Sequence, residues 1–383
     1  MLEELAALGA QGSDRKKASP KESWRPQLEL DADGGYFVSS PRTTPIGDAT
    51  ELMAEFDLNP NDWIITGVRR GKWQTYHGEW LESYRVNLKP ASARAGLVPY
   101  EDLERELKKW KPKPARVTKG NLTAIYNIGD TQWGKDAGDG TSGTVMRVMS
   151  ALNSSLARHE EIKNRGISKI ALPQLGDCIE GVVSQGGRIA GRLDLDLTSQ
   201  IRVGRRVLLE WVKAFAPLTD ELIIPVVPGN HDESHRQLIT DPIDSWQVEI
   251  VQQVLDICKE NPNLQHVTGR FPERDNTTLA LDFSGTMVGF AHGHQIRDAQ
   301  KWWSGQSLGN TPVGQAEILI SGHYHHYAVK QMNQRLWIQV PALDGGSHWF
   351  ADRTGMGGNT PHGVVSLVVG EGYDPRRDLV VLQ

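Results

Sequence analysis

Apolar positions along the chain fall into two rhythms that meet near residue 120. From Pro26 to Trp110 the runs are short and mixed: Asp48–Phe56 predicts a helix, and Trp63–Val68 and Trp80–Leu88 predict strands. The second strand carries Trp80, Tyr84, Val86 and Leu88 at period-two spacing, one face of a half-buried strand. After Gly120 strand-like runs alternate with long helical ones. Leu122–Ile128, Lys169–Leu175 and Leu222–Val227 each run into small polar residues. Ser142–Arg165 spaces Val145, Met149, Leu152 and Leu156 as a helix does, with Gly166 as its stop, and Leu197–Phe215 and Pro242–Lys259 also predict helices. Such alternation implies parallel pairing, with a ligand site at the carboxyl ends of the strands. Beyond Thr278 helical patterns nearly vanish. Strands are expected at Thr278–Phe283, Met287–Ala291, Glu317–Ile320, Arg335–Val340, Val364–Val369 and Leu379–Leu382, a second sheet packed on the first.

These rhythms divide the 383 residues, too many for one ordinary core, into four stretches. Residues 1–26 read as a polar tail, 27–107 as an accessory α+β module, 108–120 as a basic, proline-broken linker, and 121–383 as the main α/β domain. Hydrophobic content of 38% with 23% charged residues fits a folded chain rather than a disordered one. No apolar run approaches the ~20 residues that span a bilayer, so no membrane partner is expected. The opening MLEELAALGAQGSDRKK lacks the basic start and apolar run of a signal peptide. Cys178 and Cys258 cannot build a disulfide framework and fit a reducing, cytoplasmic setting. A net charge of -5 argues against a generally basic nucleic-acid coat, while a local basic path stays open.

Nearly every strand of the larger domain ends in a residue able to hold a metal ion. The series is Asp130 in GDTQ, Asp177 in GDCIE, Asn230 and His231 in GNHD, His292 in AHGH, and His323 and His325 in GHYHH. Carboxylate, amide oxygen and imidazole together suit borderline ions such as Mn, Fe or Zn and suit calcium poorly. Glycine precedes Asp130, Asp177, Asn230 and His323, where it lets the chain turn sharply and keeps bulk off the ion. Each cluster alone has a bland reading: an Asp after Gly is commonly a helix cap or a turn, and a His-X-His pair can decorate a surface. Five clusters in one order on one α/β pattern are much harder to explain that way.

The order Asp-X-(His), GDXXE, GNHD, His-Gly, GHXH resembles the calcineurin-like metallophosphoesterase superfamily over roughly residues 120–345. That resemblance implies a four-layer αββα sandwich and two divalent ions. Manganese is the first expectation, with Fe, Zn or Mg as alternatives. It implies that Asp130, Asp177 and His325 hold the first ion, that Asp177 bridges, and that Asn230, His292 and His323 complete the second. His231 would be the general acid, oriented by Asp232, and the nucleophile a water activated between the ions. One departure stands out. The family's first motif usually has His where this chain has Gln132; an amide oxygen in the metal's shell would hold the first ion more weakly and tilt it toward Mn or Mg.

Around these motifs the substrate contacts are read more loosely. Arg236 could fork onto a phosphate oxygen, and Trp303, with Trp133, Trp302 and Trp349, is placed in loops where a base could stack. Glu180 reads as a hydrogen-bond acceptor behind the ligands, and His294 and His326 as ordinary neighbours of the site. The leading function is phosphodiester hydrolysis in nucleic acid. It draws on the tryptophans, the lysine-rich linker, and a similarity to phosphoesterases that phages carry among DNA-metabolism genes, including a DNA exonuclease-related branch. A phosphatase or phosphodiesterase acting on a phosphoprotein, nucleotide or cyclic nucleotide is the first alternative. A degenerate metal-bound scaffold is the second.

Overall fold

The computed structural model describes residues 26–31, 34–60, 62–75, 77–90, 100–112, 120–183, 187, 192–235, 240–346 and 361–383. It divides into two compact units, Met1–Gly96 and Leu97–Gln383.

In the first unit four antiparallel strands, β1 (Gln27–Asp31), β2 (Gly34–Val38), β3 (Trp63–Gln74) and β4 (Trp80–Pro90), pair in the order β1-β2-β4-β3. A 3₁₀ helix, Ala49–Phe56, begins where the Asp48 side chain accepts the Thr50 N–H at 3.0 Å. Its Leu52 and Met53 bury against Phe37, Tyr84, Val86 and Leu88, the side of β4 that period-two spacing marks as apolar. Each such side chain contributes roughly 1.5–3 kcal/mol on burial.

The second unit opens with α1 (Tyr100–Lys109). Leu103 and Leu107, one turn apart, are buried in the main core, and the Asn261 amide donates to the carbonyls of Leu107 and Trp110. The expected boundaries at 107 and 108 are therefore corrected. The prolines after Trp110 suggested a linker, but the Leu103–Leu107 stripe ties this segment to the larger unit. Lys108 is helical and pairs with Glu104 and Glu260. Of the other expected linker charges, Lys113, Arg116 and Lys119 lie outside the described residues.

Two sheets follow. One runs β15-β14-β5-β6-β7-β8, made of β5 (Leu122–Asn127), β6 (Ile167–Ala171), β7 (Glu221–Pro225), β8 (Val267–Arg270), β14 (Val364–Val369) and β15 (Val380–Leu382). The other runs β12-β13-β11-β10-β9, made of β9 (Thr278–Phe283), β10 (Thr286–Ala291), β11 (Ile318–Ser321), β12 (Ala328–Met332) and β13 (Arg335–Gln339). Strands β5 to β8 are mutually parallel, as are β10, β11 and β13. Alternation sends neighbours to opposite faces. Ala124 and Tyr126 join Leu152, Trp211 and Val251 from α2 (Gly140–Ile162), α3 (Leu197–Phe215) and α4 (Trp246–Lys259). Ile125 joins Ile223, Phe290, Ile320 and Ile338 in a cluster that both sheets share. The smaller sheet carries a further cluster with α5 (Ala299–Leu308), which holds Trp302 and Trp303. These tryptophans are helical rather than in loops, a second correction. Trp303 is 2% exposed and its indole N–H donates to the Val313 carbonyl at 2.8 Å, so it anchors the core and offers no ring to a substrate.

Candidate metal centre

Asp130, Asp177 and Asn230 lie beyond the carboxyl ends of the adjacent parallel strands β5, β6 and β7; His292 follows β10, and His323 and His325 follow β11. The backbone there is strained. Asp130, Gln132, Asp177, His323 and His325 all have left-handed φ, between 42° and 74°, and make up half of the non-glycine residues in that region among those described. Each costs roughly 1–3 kcal/mol, which the surrounding fold must impose. Two glycines are needed for close approach. A Cβ on Gly229 would lie 2.1 Å from Asp177 Oδ1, and one on Gly322 would lie 2.5 Å from Asp130 Oδ2.

One half of the cluster converges on His292 Nε2. Asp177 Oδ2 is 3.1 Å away, Asn230 Oδ1 3.2 Å and His323 Nδ1 3.2 Å. His292 Nδ1 donates to the Leu175 carbonyl at 2.8 Å, which fixes the ring and leaves Nε2 facing the other donors. Asp177 Oδ1 accepts the His231 N–H at 2.8 Å. Asp177, His292 and His323 form a group whose donor atoms all lie within 4.8 Å of one another, room for a metal ion.

The other half is built differently. Asp130 Oδ2 accepts the His323 N–H at 2.9 Å, while its Oδ1 is buried, makes no hydrogen bond and lies 3.4 Å from His325 Nε2. On the far side of the same imidazole, His325 Nδ1 is 3.4 Å from Asp344 Oδ1. The Lys135 ammonium closes the group, bonded to Asp344 Oδ2 and, at 2.7 Å, to Gln132 Oε1. Asp344 is 1% exposed and Lys135 15%. Neither was singled out from sequence. Asp344 stands in PALDGG just past β13, an apolar run ending in a small polar cluster, the same signal that exposes the other ligand loops.

His231 and Asp232 differ from expectation. Asp232 does not touch the His231 ring. Its carboxylate accepts the backbone N–H groups of Asp177 at 2.6 Å, Cys178 at 3.0 Å, Ile179 at 3.3 Å and Gly229 at 3.1 Å, stapling two ligand loops together. Glu180 takes the orienting place instead: His231 Nδ1 meets its carbonyl at 3.1 Å and its Oε2 at 3.4 Å. The reason is local. Asp232 is fully buried beside donors that lack any other acceptor, and four N–H groups claim it first.

The electrostatics suit a cation. Burial opposes charge on His292 and His325, yet Asp177 raises the first to about 9, and Asp344 with Asp130 raises the second to about 10. Burial would also raise the Asp177 carboxyl, but His292 and His231 hold it far below the usual range. Buried carboxylates that pull neighbouring imidazoles toward charge present the field a divalent ion would answer. With the orphaned Asp130 oxygen and a mixed N/O donor set, the residues fit such an ion.

Of the remaining candidates, Arg236 and Trp349 lie outside the described residues. Trp133 is buried in the main core. The His294 ring lies 5.6 Å from that of His292 and 6.1 Å from that of His323, and His326 turns its Nδ1 to the Tyr324 carbonyl. Among the described residues no helix is long and apolar enough to cross a membrane.

No protein-family model matches the chain, and no curated protein does. Solved structures do match about two-thirds of it. Vacuolar protein sorting 29 from Cryptosporidium parvum is 15% identical over 65% of this chain and 86% of that one, with a TM-score of 0.32. The zinc complex of Vps29 from Entamoeba histolytica is 13% identical over 65% and 87%, with a TM-score of 0.31. An archaeal phosphodiesterase is 13% identical over 68% and 99%, with a TM-score of 0.31. Likeness this loose fixes neither a substrate nor a residue's role.

Proposed function

We propose that the chain is a calcineurin-like metallophosphoesterase that uses two divalent ions, manganese first among them, to hydrolyse phosphodiester bonds in nucleic acid. The clusters that helices share with the six-stranded sheet, that the two sheets share, and that a helix shares with the five-stranded sheet support a four-layer αββα reading. The observation that carries it is the convergence of strand-end donors from both sheets, Asp177, Asn230 and His323, on His292 Nε2. In this reading Asp130, Gln132, Asp177 and His325 hold one ion, and Asp177, Asn230, His292 and His323 the other.

Ions bound there would polarise a phosphoryl oxygen and lower the pKa of water to near neutral. The chain's own residues supply the rest. Burial disfavours charge on His231, while the carboxylates of Asp177 and Glu180 favour it, which suits a proton donor. Glu180 occupies Nδ1 and leaves Nε2 to protonate the leaving oxygen. Asp232 holds the Asp177 and Gly229 loops at the spacing the donors need. A scaffold has no use for a held proton donor, which favours the enzyme.

The deciding experiment incubates Mn-loaded protein with single- and double-stranded DNA, RNA, a chromogenic phosphomonoester and a chromogenic diester. Cleavage of a nucleic acid that stops with chelator is the expected result. Good turnover of small esters, with no binding or cutting of DNA or RNA at low salt, would refute the nuclease. Silence on every phosphoester would return the scaffold.

A further inference from the structure

The first unit's sheet has two unlike faces. The 3₁₀ helix covers the one bearing Phe37, Tyr84 and Val86. Alternation puts Tyr36, Arg69, Gly71, Trp73 and Arg85 on the other. Arg69 and Arg85 are direct cross-strand partners on β3 and β4, and both are exposed. Like charges placed opposite each other destabilise a sheet, and among the described residues neither has an ion-pair partner. The only acid on these two strands, Glu82, is buried on the other face and paired with Arg70 and Lys72. Arg85 lies over the Tyr36 ring at 3.9 Å, its guanidinium forming the next plane of a stack. Trp73 is 39% exposed on this face. Glu29, the cross-strand partner of Tyr36 on this same face, accepts from the Tyr36 hydroxyl.

We propose that this open face binds single-stranded nucleic acid, with Arg69 and Arg85 on backbone phosphates and the Arg85–Tyr36 stack and Trp73 as platforms for bases. Facing arginines with no ion-pair partner among the described residues call for an anion. Aromatic and guanidinium planes set along a flat strand, with about 13 Å between Arg69 and Trp73, suit a chain whose units carry both a phosphate and a π-face. A peptide supplies phosphates only when modified, and a duplex keeps its bases stacked away from the sheet. The proposal goes beyond the phosphoesterase reading, because this face binds whether or not the metal centre cuts.

The test is fluorescence anisotropy of the full chain with labelled oligo-dT and the matching duplex, in EDTA, so that a failed metal centre cannot mimic a failed binding face. Oligo-dT should bind more tightly than duplex. Arg69→Gln with Arg85→Gln should flatten the salt dependence by about 1.4 in slope. Trp73→Ala should weaken binding about 5- to 150-fold. If the double variant unfolds, Arg69→Lys with Arg85→Lys keeps the charge, and it should keep the salt slope while losing affinity. Unchanged oligo-dT affinity in folded Trp73→Ala overturns the proposal, as does preference for duplex.

Discussion

The two halves of the candidate metal centre offer similar donors and hold them in unlike ways. Around His292 the donors meet neutral partners: the Leu175 carbonyl fixes the imidazole, and the His231 backbone N–H holds Asp177 Oδ1. No cationic side chain other than imidazole is bonded to these donors among the described residues. Around His325 an ammonium takes part. Lys135 bonds both Gln132, a proposed ligand, and Asp344, the carboxylate behind His325. A fixed positive charge at a donor oxygen opposes a dication at the same oxygen, so counting donors does not rank the sites. The His292 half should load first and tightly, and the His325 half later and weakly.

The largest expected effect tests whether the halves share a member. Asp177→Ala should take the Mn-loaded protein from about two ions per chain to about none, measured by metal analysis after gel filtration. Retention of one tight ion would make Asp177 private to one half and end the bridging assignment.

A second pair of variants separates the two carboxylates near His231. Asp232→Ala strands four buried N–H groups, each worth about 1–3 kcal/mol, and should lower the melting temperature and metal content together. Glu180→Gln should leave ions and fold in place and slow turnover about 10- to 100-fold, against about 10²–10⁴ for His231→Ala. Metal loss in Glu180→Gln, or full turnover in His231→Ala, would reverse the roles.

The third prediction bears on the weaker half alone. Asp344→Asn removes the charge behind His325 and should cut affinity for the later ion about 10- to 100-fold without touching the first. Electron paramagnetic resonance at two equivalents of Mn should then show a single-ion signal where the parent shows a coupled pair. Equal weakening of both ions would erase the distinction between halves.

Which features were legible follows from how local their causes are. Period-two spacing in β4 and helical spacing in α2 lie in contiguous residues, and both elements form where expected. Strand-end ligands were readable because Gly-Asp, Gly-Asn and Gly-His pairs advertise a turn into a tight space, as Gly229 against Asp177 illustrates. Strand β12 was missed, since in an edge strand reading Ala-Val-Lys-Gln-Met the adjacent apolar pair and adjacent polar pair break the period-two alternation. Helix α1 was split from its unit because Leu103 and Leu107 find their partners far along the chain, beside Asn261. The Glu180–Asp232 exchange was hidden for a like reason. Which carboxylate reaches an imidazole depends on competing backbone donors, and Asp177 to Ile179 become neighbours of Asp232 only once β6 and β7 pair.

The smallest effect is the most informative about Gln132. With Lys135 bonded to its oxygen, Gln132 has a lone pair left for an ion but works against the ammonium's charge. Lys135→Met frees that oxygen and leaves Asp344 uncompensated, so the later ion should bind on the order of tenfold more tightly, about 1.4 kcal/mol. Gln132→His alone should shift preference toward Zn only slightly, because the ammonium would still claim the new nitrogen. In the double variant the imidazole is free, and the Zn-to-Mn preference should rise by more than the two single changes together, a coupling that stepwise titration of the apo protein with each metal measures. A double variant with the parent's preference would place residue 132 outside the metal's reach. Lys135 would then bear on the ion through Asp344 alone, and the weaker hold of the His325 half would have to come from its donor count.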